Sequence, residues 1–299
     1  MELQGIKSSL VQINQNSKRH SLFRETIYRL FRNKGAIIGL VFITILLFTA
    51  ITADYLYDYD AYVIKQNISE RLQKPSITHP FGTDEFGRDI LARVVHGSRI
   101  SLLVSASSIA FAVLVGGFLG AIAGYFGGLI DNALMRLTDI LLSIPMTMLA
   151  IVIVAALGAS TVNLALALGL ASVPIFARVV RGAVLTVREQ DYVTASRAIG
   201  ANNLFIILKH ILPNCMAPII VQITLRMASA IYNTAALSFL GMGVQPPIPE
   251  WGAILAGGRV YIRDSSYICI IPGLVIMMTI LSLNMLGDGL RDALDPRLK

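Results

Sequence analysis

Gln222, Arg226, Ser229 and Asn233 recur at steps of four, three and four, so a helix gathers them into one polar stripe. The residues around them, Ala217–Ser238, are otherwise apolar and long enough to cross a bilayer. An arginine near the centre of such a span costs about 2.5–3.5 kcal/mol on insertion scales. A stripe that expensive is not expected to face lipid. It lines an aqueous path, where Arg226 is placed to attract a carboxylate, or it forms a buried hydrogen-bond network between helices; the sequence leaves both open.

A second segment suggests mechanics rather than chemistry. Asp191–Pro213, DYVTASRAIGANNLFIILKHILP, is polar, helix-compatible and centred on Gly200, yet it lies between two apolar runs. Glycine allows a sharp turn between two short helices, and Pro213 suits the first turn of the helix that follows. The segment reads either as a lever gripped from outside the bilayer or as an amphipathic connector.

Both features need membrane helices to position them, and the composition supplies these. Of 299 residues, 55% are hydrophobic and 14% charged, and mean hydropathy is +0.68. Soluble domains carry about a quarter charged residues, so most of this chain belongs in lipid. Six apolar stretches approach the roughly 20 residues that a helix needs to span the hydrocarbon core: 35–52, 101–124, 133–156, 164–180, 217–238 and 267–286. The fourth is the shortest and contains Pro174. An even number puts both termini on one side. Sixteen basic residues fall on that side and seven on the other, which makes the terminal side, and with it 191–213, cytoplasmic. The net charge of +7 follows from this bias, and no aromatic-basic patch points to nucleic acid. Residues 1–34 precede the first span, too many for the basic region of a signal peptide, so that span is expected to be a retained anchor.

Smaller features add expectations. The end of the first outer loop, HPFGTDEFGRDILARVVHGSRIS, reads as a short helix flat on the outer surface, capped by Thr83 or Asp84, with an Asp89–Arg93 pair and the role of an anchor. Gly116, Gly120 and Gly124 recur every four residues and predict close helix packing. Asp139 is expected to pair with Arg136, and Pro145 to kink the third span. Cys215 and Cys269 fall near opposite membrane faces, on the order of 30 Å apart, so no disulfide is expected. His20, His79, His96 and His210 are scattered, with no metal-ligand spacing. The chain has no G-x-x-x-x-G-K-[ST], H-E-x-x-H or G-x-S-x-G motif, and no obvious internal repeat. A lever without a motor of its own implies a motor on another chain.

The segment around Gly200 resembles the loop of ABC-importer permeases written EAA-x3-G-x9-I-x-L-P. Thr194-Ala195-Ser196 stands at EAA, Gly200 matches, His210 replaces the isoleucine, and Leu212-Pro213 matches. GTDEFGRDILARVVHGSRISL (82–102), AGYFGGLIDNALMR (123–136), ALSFLGMGVQPPIPEWG (236–252) and LNMLGDGLRDALDPRLK (283–299) resemble the dipeptide/oligopeptide/nickel permeases, in particular their C-type dipeptide subunits.

That resemblance implies an all-α protein with six transmembrane helices, the type I ABC importer permease fold and both termini cytoplasmic. It implies residues 1–34 as a cytoplasmic segment, 35–53 as the anchor helix, 54–98 as an extracytoplasmic loop, 99–290 as the core with its coupling loop 189–213, and 291–299 as a tail. The implied partners are a homologous second permease subunit, two ATPase subunits that hold ATP and Mg, and an extracytoplasmic substrate-binding protein, in a bacterial cytoplasmic membrane. The chain itself would hold no cofactor and perform no catalysis. Tyr192, Val193, Thr194, Ala195, Ser196, Arg197, Ala198, Ile199, Gly200 and Ala201 would meet the ATPase, with Arg197 either pairing with an acidic groove or solvated. The same machine moving nickel chelates, and a self-sufficient carrier or channel, are the rival functions.

Overall fold

The structure, a computed structural model, describes residues 22–294. The basic residues before Leu22 and the end of the tail lie outside that range. The chain begins with a short amphipathic helix, α1 (Leu22–Leu30). Asn33 then caps α2 (Lys34–Ile51) by accepting from the Ala36 amide at 3.2 Å. The outer loop leads to α3 (Ile90–Phe126), capped by Asp89, which accepts from Ala92 N at 2.9 Å. A tight turn at Gly127 enters α4 (Gly128–Leu142), followed by α5 (Met146–Leu157) and α6 (Thr161–Arg188). Two short helical pieces then lead to α8; the first is α7 (Asp191–Ala198). The last three helices are α8 (Met216–Phe239), α9 (Trp251–Gly258) and α10 (Tyr267–Leu294).

Among the described residues five helices are long and apolar enough to cross a membrane, and α4 with α5 makes a sixth crossing if the pair counts as one. The packing says that it does. Gly116 meets Val173, Gly120 meets Ala177 and Gly124 meets Val184, so α3 and α6 run parallel. Two parallel neighbours require the chain between them to return across the bilayer, and only α4 and α5 lie between. This crossing is not the kinked span expected from Pro145. The two helices meet at 87°. Proline lacks an amide proton and disfavours helical geometry at Ile144, so the helix stops rather than bends. Ser143 closes the end of α4, its amide bonding Asp139 O and Ile140 O.

The outer surface helix expected near residues 83–95 is also absent. Thr83–Asp89 is a turn closed by an antiparallel bridge, and the helix that starts at Ile90 runs unbroken for 37 residues. Gly97, the residue best placed to interrupt it, sits under Trp251, where a Cβ would approach the indole to 3.1 Å. At 1.5 Å per residue α3 is about 55 Å long against a hydrocarbon core of about 30 Å, so its outer turns stand clear of the lipid. The Asp89–Arg93 pair does not form. Asp89 bonds His79 Nδ1 at 2.8 Å, and Arg93 lies 3.4 Å from Asp84 and donates to Val63 O at 2.9 Å.

The glycine row on α3 is a packing surface. A Cβ on Gly120 would lie 2.3 Å from Ala177 O, and one on Gly116 2.5 Å from Val173 O. Around this pair, α8 packs on α10, α10 on α2, and α9 wedges between α8 and α10. Gly39 of α2 approaches Ser282 of α10 as closely. Gly120→Leu is expected to separate α3 from α6 and cost about 1–3 kcal/mol, the usual range for an overfilled interior. Gly117, with nothing within 4 Å, supplies the control: Gly117→Leu should leave the thermal midpoint of the detergent-purified protein unchanged while Gly120→Leu lowers it.

Candidate functional site

The segment at 191–213 folds as its glycine suggested. In α7 the hydroxyl of Ser196 donates to Tyr192 O at 2.8 Å. Gly200 takes φ +81°, in the left-handed region that favours glycine. Its amide bonds Arg197 O and that of Ala201 bonds Ser196 O, closing the end of α7. Asn202 caps Asn203–Phe205, which continues as a π-helical stretch Ile206–Ile211. Pro213 sits in the first turn of Leu212–Cys215, directly before α8.

One face of this helix–turn–helix is rooted in the membrane domain. Val193, Ile206, Ile207, Ile211 and Cys215 are buried in one cluster with Ala121 and Tyr125 of α3 and with Val180 and Val184 of α6. The Tyr125 hydroxyl donates to Asn203 Oδ1 at 2.7 Å, and the Arg197 guanidinium lies 4.9 Å from the centre of the Tyr125 ring. Arg188 donates to Gly124 O at 2.8 Å and so satisfies a terminal carbonyl of α3 from α6. Bidentate bonds of 2.5 Å from Arg181 to Asp131 tie α6 to α4. Asp139 pairs with Arg178 of α6, not with Arg136, which is exposed and has no ion pair among the described residues. The sequence could not show that α6 lies alongside α4.

The other face is open. Ile199 is 85% exposed, Leu204 61%, Phe205 51% and Leu208 57%. Tyr192, Thr194, Ala195, Arg197, Ala198 and Gly200 are exposed too, and Ser196 and Ala201 are partly so. Val193 is the exception among the ten expected contact residues. Fully buried, it is part of the root. Leu204, Phe205 and Leu208 were missed; the signal was a stretch apolar on two faces, with Leu204 and Leu208 opposite Ile206, Ile207 and Ile211. His210, which stands where the resemblance wants isoleucine, lies edge-on to the Phe205 ring at 5.5 Å and 6.4 Å from that of Tyr192.

On α8 the four stripe residues share a face but not one environment. Asn233 is buried and donates to Ser229 O at 2.7 Å; Ser229 in turn reaches Leu225 O at 3.5 Å. Both bonds stay within α8. Gln222 and Arg226 are partly exposed and have no side-chain hydrogen bond or ion pair among the described residues. Among the described residues these side chains therefore form no hydrogen-bond network between helices.

Val193→Asp places an unpaired charge in the root and is expected to loosen the whole segment. Hydrogen–deuterium exchange should rise across residues 191–211 while the glycine-packed part of α3 keeps its protection.

The comparisons with known proteins bear on the family and the fold. Residues 116–299 match the family described as binding-protein-dependent transport system inner membrane component, and residues 21–75 match the N-terminal TM domain of oligopeptide transport permease C. The chain is 48% identical to the dipeptide transport system permease protein DppC of Alkalihalophilus pseudofirmus, over 93% of this chain and 91% of that one. It is 46% identical to DppC of Escherichia coli over 90% and 91%, and 40% identical to the glutathione transport system permease protein GsiD of Pectobacterium atrosepticum over 93% and 92%. In fold it resembles a chain of the inward-facing MetNI methionine ABC transporter, with a TM-score of 0.57 at 19% identity, over 69% of this chain and 98% of that one. The match extends over more than half the sequence, and the relatives run nearly its full length. The chain belongs to the binding-protein-dependent transport system inner membrane components.

Proposed function

We propose that the chain is one of two permease subunits of an ATP-driven importer of dipeptides or oligopeptides in a bacterial cytoplasmic membrane. The relatives named for dipeptide, di/tripeptide and glutathione transport support the cargo class. The observation that carries the mechanism is the exposed apolar face Ile199, Leu204, Phe205 and Leu208, on a segment rooted in α3 and α6. Apolar surface held out on the charge-rich side of a membrane protein suits a partner that covers it. The partner proposed here is an ATPase subunit, one beneath each permease, with ATP and Mg held there. Tyr192, Thr194, Ala195, Ser196, Arg197, Ala198, Ile199, Gly200 and Ala201 join the apolar face as its contacts, and Val193 anchors from behind. A related permease completes the pathway, and a binding protein delivers cargo from outside. Closing of the ATPase pair moves the two segments together, and because each is packed onto helix ends, the spans move with it. This chain contributes motion and a path, with Arg226 attracting the cargo carboxylate.

Gly200→Val tests the lever. No atom lies within 4 Å of the added Cβ, so the cost is backbone strain of about 1–2 kcal/mol in the turn. The protein should insert and assemble, ATP hydrolysis should continue, and uptake should fall. Normal uptake in that variant would exclude the segment as the transmission element. Arg226→Gln is expected to slow uptake of peptides with a free carboxylate; unchanged rates across several peptides would remove Arg226 from the path.

A further inference from the structure

A cavity of about 220 Å³ lies at the outer end of the molecule, between the turn that precedes α3, the outer end of α8 and α9. Its wall carries Asp84, Glu85, Arg88, Arg93 and Arg259. Asp84 is fully engaged: Oδ1 accepts from the amides of Phe86 and Arg88, and Oδ2 from Arg88 Nε at 2.7 Å. The guanidiniums are not. Arg93 is 4% exposed; it donates one hydrogen bond, to Val63 O, and its Nε lies 3.4 Å from Asp84 as an ion pair without hydrogen-bond geometry. Arg259 stacks 5.6 Å from the Phe239 ring and has no ion pair among the described residues. Beyond its bond to Asp84, Arg88 comes no closer than 4.0 Å to Glu85. Three guanidiniums thus share two carboxylates, Asp84 and Glu85, which leaves one positive charge in excess and guanidinium donors unused.

We propose that this cavity is an outer binding site for the carboxylate end of a short peptide, a station that cargo occupies before it moves along α8. The proposal rests on the peptide-importer reading. A guanidinium fork matches a carboxylate in shape and charge, and a buried one short of acceptors gains most from meeting it. Glu85 stands ready for an ammonium group in the same space. The volume is below the roughly 300 Å³ at which drug-sized sites begin, so it takes the end of a peptide and not a folded strand. Leu240, which lines the cavity, falls on the same helical face as Arg226. Fourteen residues separate the two, so the cargo carboxylate travels about 21 Å from the outer guanidiniums to the inner one.

The test uses the assembled transporter without ATP, so that it reads binding and not transport. Ala256 lines the cavity and is partly exposed. With Cys215→Ala and Cys269→Ala as background, Ala256→Cys is labelled from outside by an impermeant maleimide. A dipeptide at millimolar concentration should protect this thiol, and the same dipeptide with a C-terminal amide should not. Arg259→Gln, at an exposed position that leaves the fold alone, should raise the peptide concentration needed by about tenfold, the loss of one charge-assisted bond. Equal protection by acid and amide, or none by either, overturns the proposal. So does a thiol that is unreactive in the assembled complex, or one shielded by the binding protein with no peptide present, since either result gives the cavity to a neighbouring protein. Failure of the importer reading would show instead as absent ATPase subunits or uptake without ATP, neither of which this assay measures.

Discussion

The architecture depends on how closely α3 and α6 approach. In lipid, an apolar side chain gains nothing by leaving one apolar neighbour for another, so helices associate through close contact and polar bonds. Gly116, Gly120 and Gly124 let the carbonyls and Cβ atoms of α6 lie where side chains would otherwise stand. Because the two helices run parallel, their inner ends emerge side by side. That pair of ends is the platform on which the Gly200 segment is built, with Tyr125 from one helix and Val184 from the other beneath it.

Polar bonds then fix what close packing leaves free. Arg181 with Asp131 and Arg178 with Asp139 hold α4 along α6, and Arg188 joins the inner ends of α3 and α6. The outer side is organised in the same way. Glu250 caps α9, accepts a hydrogen bond from Ser101 of α3 at 3.0 Å, and is fully buried. Burial pushes its carboxyl pKa up, while the bonds from Ser101, Ser238, Gly252 and Ala253 pull the other way. The first turns of α3 are tied to α9 by Trp251, which donates to Val94 O at 3.0 Å, and the loop before α3 is tied to α10 by Tyr267, which reaches Thr83 O at 3.3 Å.

Much of this was legible in the sequence, and the rest has definite physical reasons. Apolar length marked the spans, because the bilayer imposes a minimum length on a helix that crosses it. The glycine spacing gave a packing face, and the turn at Gly200 followed from residue type. What failed was whatever depends on a partner far away in the chain. Asp139 had Arg136 three residues back, and only the fold brings Arg178 to it. Val193 looked like its exposed neighbours because the cavity that receives it is built from α3 and α6. Pro145 could signal a kink or a stop, and residue type alone does not separate the two. The outer surface helix was mistaken because a pattern of Ile90, Leu91, Val94 and Val95 fits a surface helix and the first turns of a long one equally well.

The length of α3 has a mechanical consequence. A helix about 55 Å long pivoting near the bilayer midplane behaves as a seesaw: a tilt of about 10° carries each tip sideways by about 5 Å, in opposite directions. One tip ends beside Asn203 and Arg197, and the other begins at Asp89, next to the cluster of outer arginines. Any push delivered below is therefore felt above with its sense reversed, with no relay of intervening loops. The two ends of the molecule are coupled because a single helix reaches both.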